Sequence, residues 1–210
     1  MSTLTELSQA VEKGRAKLVK ALVPQALEAG TSPKAILEEG LLSGMNAVGE
    51  QFKTGVMFVP QVLMAAKAMN AGMELLKPHL SGESAGFKGR ACLGTVKGDL
   101  HDIGKNLVRM MFEGQGIEVI DLGVDVAPEA FVQTAIEKDC QIIACSALLT
   151  TSMPSMGAVV EAAKAAGIRD KVKIMVGGAP VTDRFCTDIG ADAYTPDAAT
   201  AATVAAGFLA

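Results

Sequence analysis

Ala91-Cys92-Leu93-Gly94-Thr95-Val96 runs into Lys97-Gly98-Asp99-Leu100-His101-Asp102-Ile103-Gly104-Lys105-Asn106, an apolar run followed by a glycine-bearing polar loop and the start of a helical pattern. The same alternation continues to the end of the chain. Further apolar runs occupy Val119 to Leu122, Ile142 to Ala147 and Ile174 to Val176, with a weaker one at Ala191 to Tyr194. Between and after them, helical spacing begins near Ile103, Ala127, Met153, Val181 and Ala198. Short apolar runs alternating with helices predict a parallel sheet covered by helices on both faces. Five such units over residues 88–210 fit a doubly wound, Rossmann-like α/β domain with the flavodoxin-like strand order.

Upstream of residue 85 the pattern is helical throughout. Leu4, Leu7 and Val11 predict a short opening helix; Gly14 interrupts it before Leu18, Leu22, Ala26 and Ala29 continue, with Pro24 expected to kink the second helix. Ser32 and Pro33 suit the start of a third, whose face runs Ile36, Gly40, Gly44, Val48, Phe52 beside Leu37, Leu41 and Met45, ending near Gly55. A fourth spans Pro60 to about Leu76 through Val62, Ala66, Met69 and Met73. Residues 1–80 therefore read as a four-helix bundle. Residues 81–87, which include Ser-Gly-Glu-Ser-Ala-Gly at 81–86, read as a flexible linker.

Composition narrows the function. Half of the 210 residues are hydrophobic, only 4% are aromatic, and there are 11 Met and no Trp, so the cores are aliphatic. No apolar run reaches the ~18–20 residues of a membrane span, and Met1 to Ala10 lacks the features of a signal peptide. A cytoplasmic protein without membrane contact is expected. The net charge of −4 comes with no basic stretch able to follow a phosphate backbone, which argues against nucleic acid. Cys92, Cys140, Cys145 and Cys186 form no C-x-x-C pair and are read as buried thiols.

In open parallel sheets ligands bind beyond the carboxyl ends of the strands. Three loops there carry chemistry. The first holds His101, one of only two histidines, between Asp99 and Asp102. The second is Ser146-Ala147-Leu148-Leu149-Thr150-Thr151-Ser152, rich in hydroxyls, and the third is Gly177-Gly178-Ala179-Pro180. The bland readings are a structural histidine, helix-starting acids, N-cap hydroxyls and a plain glycine turn. His79, in Lys77-Pro78-His79-Leu80 after the fourth helix, has no such group of loop motifs around it and is read as a surface residue.

Asp99-x-His101-x-x-Gly104, then Ser146-x-Leu148, then Gly177-Gly178, resembles the three-part signature of cobalamin-binding domains. Glu39-Gly40-Leu41-Leu42-x-Gly44-Met45 and Val48-Gly49-Glu50-x-Phe52-x-x-Gly55-x-x-Phe58-x-Pro60 resemble the helical cap that precedes that domain in methionine synthase and in the corrinoid proteins of methylamine, methanol and betaine methyltransferase systems. The resemblance implies cobalamin as cofactor and His101 as the lower ligand of its cobalt. Asp99 would accept the other ring N–H, and Ser152 would complete the relay. It implies that Gly98, Leu100, Asp102, Ile103, Gly104, Ser146, Leu148, Thr150, Gly177, Gly178 and Ala198 border the cofactor, Gly177 and Gly178 by lacking the Cβ atoms that would fill a slot for its nucleotide tail. Phe52, Val59, Val62 and Glu39 are the matching cap positions, and the cap would move on the linker.

The function so implied is a methyl carrier. It would accept a methyl group on cobalt from a substrate-specific methyltransferase and yield it to a second one, serving a tetrahydropterin or thiol acceptor, with a reductive activase to recover oxidised cobalt. A cobalamin-binding mutase subunit would share the lower-ligand motif without the helical cap, and a cobalamin-dependent transcriptional sensor would need a basic DNA-binding helix. A flavodoxin-like domain without cofactor leaves the three coincident motifs unexplained.

Overall fold

The computed structural model describes residues 2–80 and 87–210, so the expected linker falls on residues of which all but Phe87 lie outside the description. The chain divides into two compact units, Met1–Phe87 with Gly114–Gly116, and Lys88–Glu113 with Ile117–Ala210.

Among the described residues the first unit has four long helices in chain order, the last followed by a 3-10 turn at Lys77–His79. Helix α1 is Thr3–Glu12 and α2 is Ala16–Glu28, with Pro24 inside it. Helix α3 is continuous through three segments, Pro33–Ala35, a π-helical Ile36–Leu42, and Ser43–Lys53. Ser32 Oγ accepts the Ala35 N–H, as an N-cap residue does. Helix α4, Val59–Leu76, starts where Gln61 Oε1 accepts the Phe58 N–H at 2.9 Å. The π segment was not expected. Residues four apart drift by about 40° per step around a regular α-helix, so the run Ile36, Gly40, Gly44, Val48 cannot hold one face over its whole length. A wider turn reduces that drift, and Ile36, Gly40, Gly44 and Val48 are all buried. The small residues allow close packing: a Cβ on Gly44 would lie 2.5 Å from the Ser8 carbonyl oxygen of α1.

The second unit is a five-stranded parallel sheet in the order β2-β1-β3-β4-β5. Its strands are β1 Gly89–Val96, β2 Ile117–Val126, β3 Ile142–Ser146, β4 Lys173–Gly177 and β5 Ala193–Tyr194. Helices α5 Ile103–Gly114, α6 Pro128–Glu137, α7 Pro154–Ala165, α8 Asp183–Ile189 and α9 Ala198–Phe208 follow them one by one. The central strands are buried on both faces, which is why they read as continuous apolar runs rather than alternating ones. Phe131 of α6 fills one side of the core against Gly94 of β1, where a Cβ would come within 2.8 Å of the ring. The four cysteines are free and buried. Among the described residues no helix is long and apolar enough to cross a membrane.

Register brings the three motif loops together. Thr95 pairs with Ser146 and Ser146 with Gly177, so β1, β3 and β4 end on one line. The strand order reverses between β1 and β3, which makes their departing loops the walls of a crevice.

Candidate cofactor-binding site

Asp99 organises the site. Its side chain is fully buried, yet it receives five hydrogen bonds. Oδ1 accepts the His101 backbone N–H at 3.0 Å and lies 2.7 Å from His101 Nδ1. Oδ2 accepts the N–H groups of Leu148 at 2.7 Å and Leu149 at 3.1 Å, and the Ser152 hydroxyl at 2.9 Å. Burial alone would push the carboxyl up. The hydrogen bonds from His101, Leu148 and Ser152 outweigh it and hold the group well below the usual carboxylate range.

An ionised carboxylate only accepts, so the proton between Asp99 and His101 belongs to Nδ1. In the neutral form of the ring that tautomer puts the lone pair at Nε2, which has no hydrogen-bond partner among the described residues. The imidazole is about half exposed (52%), beyond the end of β1. Ser152 is buried, and its Oγ lies 2.8 Å from the Leu149 carbonyl as well as 2.9 Å from Asp99; its single proton serves one acceptor at a time.

The remaining expected loop residues follow the same strand ends as Asp99 and His101. Leu100 and Ile103 are 73% and 75% exposed, and Leu148 and Leu149 are exposed on the loop after β3. Large apolar side chains held out at the ligand end of a sheet mark a surface that something apolar covers. Gly98 has φ +86°, the left-handed region that glycine enters freely. A Cβ on Gly104 would project into open space. Asp102 is exposed, accepts the Asn106 side-chain amide at 3.1 Å and opens α5, the bland role for an acid there. Ser146 is half-buried and Thr150 exposed, both beside the crevice.

Other expected residues stand differently. Gly178 has φ +133°, and a Cβ there would overlap the Ala147 carbonyl oxygen. Its glycine is therefore demanded by the chain's own β3–β4 packing before any slot is considered. A Cβ on Gly177 would make only ordinary contact, 3.5 Å from the Thr195 carbonyl oxygen. Gly178→Ala should lower the free energy of unfolding by about 2 kcal/mol even without ligand, measurable by urea denaturation; an unchanged midpoint would contradict the overlap. Ala198 opens α9 and is buried, leaving little surface for a ligand. In the helical unit Phe52 and Val59 are half-buried, Val62 is fully buried, and Glu39 is exposed on the π segment of α3. His79 is exposed.

Thr95 escaped the sequence reading. It is fully buried, and its hydroxyl donates to the His101 carbonyl at 2.8 Å. Ser155 Oγ donates to the Lys97 carbonyl at 3.1 Å from the first turn of α7. A lone hydroxyl inside an apolar strand was the available signal for Thr95; Ser155 offered none.

Two family profiles, each described as a B12 binding domain, match residues 89–205 and 3–77. The chain is 47% identical over 180 residues to trimethylamine corrinoid protein 1 of Methanosarcina acetivorans, covering 85% of this chain and 83% of that one. To the dimethylamine corrinoid protein of Methanosarcina barkeri it is 43% identical over 208 residues, 99% of this chain and 97% of the relative. The chain belongs to the corrinoid proteins of methyltransferase systems. Their homologues carry methyl groups between methyltransferases, and the cofactor so indicated is cobalamin. Among solved structures, the methanol:cobalamin methyltransferase complex of M. barkeri matches with TM-score 0.89 at 30% identity, covering 99% of this chain and 79% of that one. A cobalamin-binding protein from Desulfitobacterium hafniense matches at TM-score 0.79 and 33% identity over 98% of both chains.

The residues present fit a corrinoid. They offer one imidazole nitrogen, Nε2, not engaged by the described residues, an apolar rim, and open space at Gly104 where a side chain would otherwise stand. No group of three or more His, Cys, Asp or Glu side chains able to hold a bare metal ion occurs among the described residues. A lone imidazole suits a metal whose other ligands arrive with it.

Proposed function

We propose that this corrinoid protein binds cobalamin through His101 Nε2 and serves as the methyl carrier between a substrate-specific methyltransferase and a second methyltransferase to a tetrahydropterin or thiol carrier. When bound, cobalamin supplies a cobalt centre that accepts and releases a methyl group. The observation that carries the reading is the 2.7 Å contact from Nδ1 to a fully buried, ionised Asp99, which leaves Nε2 as the outward lone pair.

The chain's own residues have distinct tasks. Asp99 fixes the tautomer and the orientation of the imidazole. Ser152 holds a proton at Oγ that can turn between Asp99 Oδ2 and the Leu149 carbonyl, so the polarity felt by the ring can change without moving the backbone. Leu100, Ile103, Leu148 and Leu149 offer exposed apolar surface that a bound macrocycle would cover. Gly98 and Gly104 keep the loop slim, and Ser146, Thr150 and Gly177 border the crevice. The sequence resemblance assigns Phe52, Val59, Val62 and Glu39 of the helical unit to the same cofactor.

The methyltransferase in the methanol:cobalamin complex supports the first partner. The second methyltransferase, a reductive activase and a cytoplasmic setting are parts of the same proposal. Purified protein incubated with hydroxocobalamin under reducing conditions, then freed of excess, should stay coloured at about one cobalamin per chain. A colourless product would end this reading.

A further inference from the structure

Strand β2 is irregular where it passes β1. Leu93 pairs with Asp121, Gly94 with Gly123 and Val96 with Val126, so β2 gains one residue at each of two bulges. Bulges gather beside functional sites because they re-aim side chains. The first is fixed by Asp121, whose Oδ1 accepts the Gly123 N–H at 2.9 Å and the buried Lys105 ammonium at 2.6 Å. The second holds Asp125 at φ +53°, a conformation that costs a non-glycine residue about 1 kcal/mol.

What Asp125 does there is hold the histidine loop. Its Oδ1 accepts the Gly98 N–H at 2.8 Å, and its own N–H donates to the Asp99 carbonyl at 2.9 Å. These two bonds come from β2, on the side of β1 opposite β3, whose loop supplies Leu148, Leu149 and Ser152 to the Asp99 carboxylate. The loop is thus gripped from both flanks. We propose that Asp125 is a positioning residue for His101, holding Gly98 and Asp99 so that Nε2 meets a lower-ligand site. The proposal rests on the functional reading above.

Glycine at 125 separates this role from turn-making. Gly occupies φ +53° more easily than Asp, so a merely turn-forming residue would tolerate Asp125→Gly with no loss. Asn tolerates the left-handed region too and keeps an Oδ1 acceptor. Asp125→Gly should melt near the wild type, bind hydroxocobalamin about tenfold more weakly, the equivalent of one hydrogen bond to a charged acceptor, and show less of the nitrogen-ligand band. In the cofactor-free protein its Gly98 amide should exchange faster. Asp125→Asn should restore most of each property. Wild-type affinity, spectrum and Gly98 exchange in Asp125→Gly would overturn the proposal, as would an Asn variant no better than the Gly one. Wild-type protein that takes up no cobalamin would sink the functional reading and this inference with it; normal uptake by wild type and Asp125→Gly alike would sink the inference alone.

Discussion

His101→Ala should yield a folded protein whose cobalamin spectrum lacks the signature of a lower nitrogen ligand. The fold survives because the imidazole is about half exposed and belongs to no core, so truncation costs at most about 1 kcal/mol of stability. The loop keeps its course without the ring: Thr95 still donates to the residue 101 carbonyl, and the backbone N–H at 101 still bonds Asp99. What disappears is the only imidazole in the motif loops, since His79 lies in the Lys77–His79 turn of the other unit. Affinity for hydroxocobalamin should fall by at least about 100-fold, given that loss of an outer-shell partner alone commonly costs 10- to 100-fold. Identical spectra and affinities for variant and wild type would show that the ligand is not His101.

Much of this site could be read from the sequence, for a physical reason. A parallel sheet buries its central strands on both faces, so β1, β3 and β4 appear as unbroken apolar runs, and polar residues just beyond them must sit at the ligand end. That logic located Asp99, His101, Ser146 and Gly177. It could not locate Asp125, because bulges leave no periodic trace; β2 reads Ile-Glu-Val-Ile-Asp-Leu-Gly-Val-Asp-Val, and nothing local says which aspartate turns toward the neighbouring loop. Gly178 shows the converse limit. Its presence was legible, but the reason lay in the Ala147 carbonyl, a tertiary contact just past the ends of β3 and β4 between residues 31 apart in sequence. The π segment in α3 was likewise hidden, since single steps of four look helical and only their accumulated drift demands a wider turn.

Asp99→Asn is the second large effect, and it reaches both stability and ligation. The amide matches the carboxylate in size but has one acceptor oxygen where five donors converge. If that oxygen faces Leu148, Leu149 and Ser152, the amide NH₂ opposes the His101 N–H and donates to Nδ1. The ring proton then moves to Nε2, and the lone pair meant for a metal is lost. If the amide is flipped, its NH₂ opposes the Leu148 and Leu149 N–H groups instead. Either way a buried donor loses its partner, at a cost of about 2–3 kcal/mol at neutral pH. Acid should narrow the gap. The folded-state carboxyl is held below its unfolded value of ~3.9, so its contribution is complete above about pH 5 and is lost as pH falls toward the folded value. Urea unfolding of the cofactor-free proteins should therefore show a wide gap between wild type and Asp99→Asn at pH 7 and a smaller one at pH 3. The spectrum of the loaded variant should shift in the same direction as that of His101→Ala, because both remove the Nε2 donor. A stability gap of equal size at both pH values would show that the ionised form of Asp99 is not what the five hydrogen bonds stabilise.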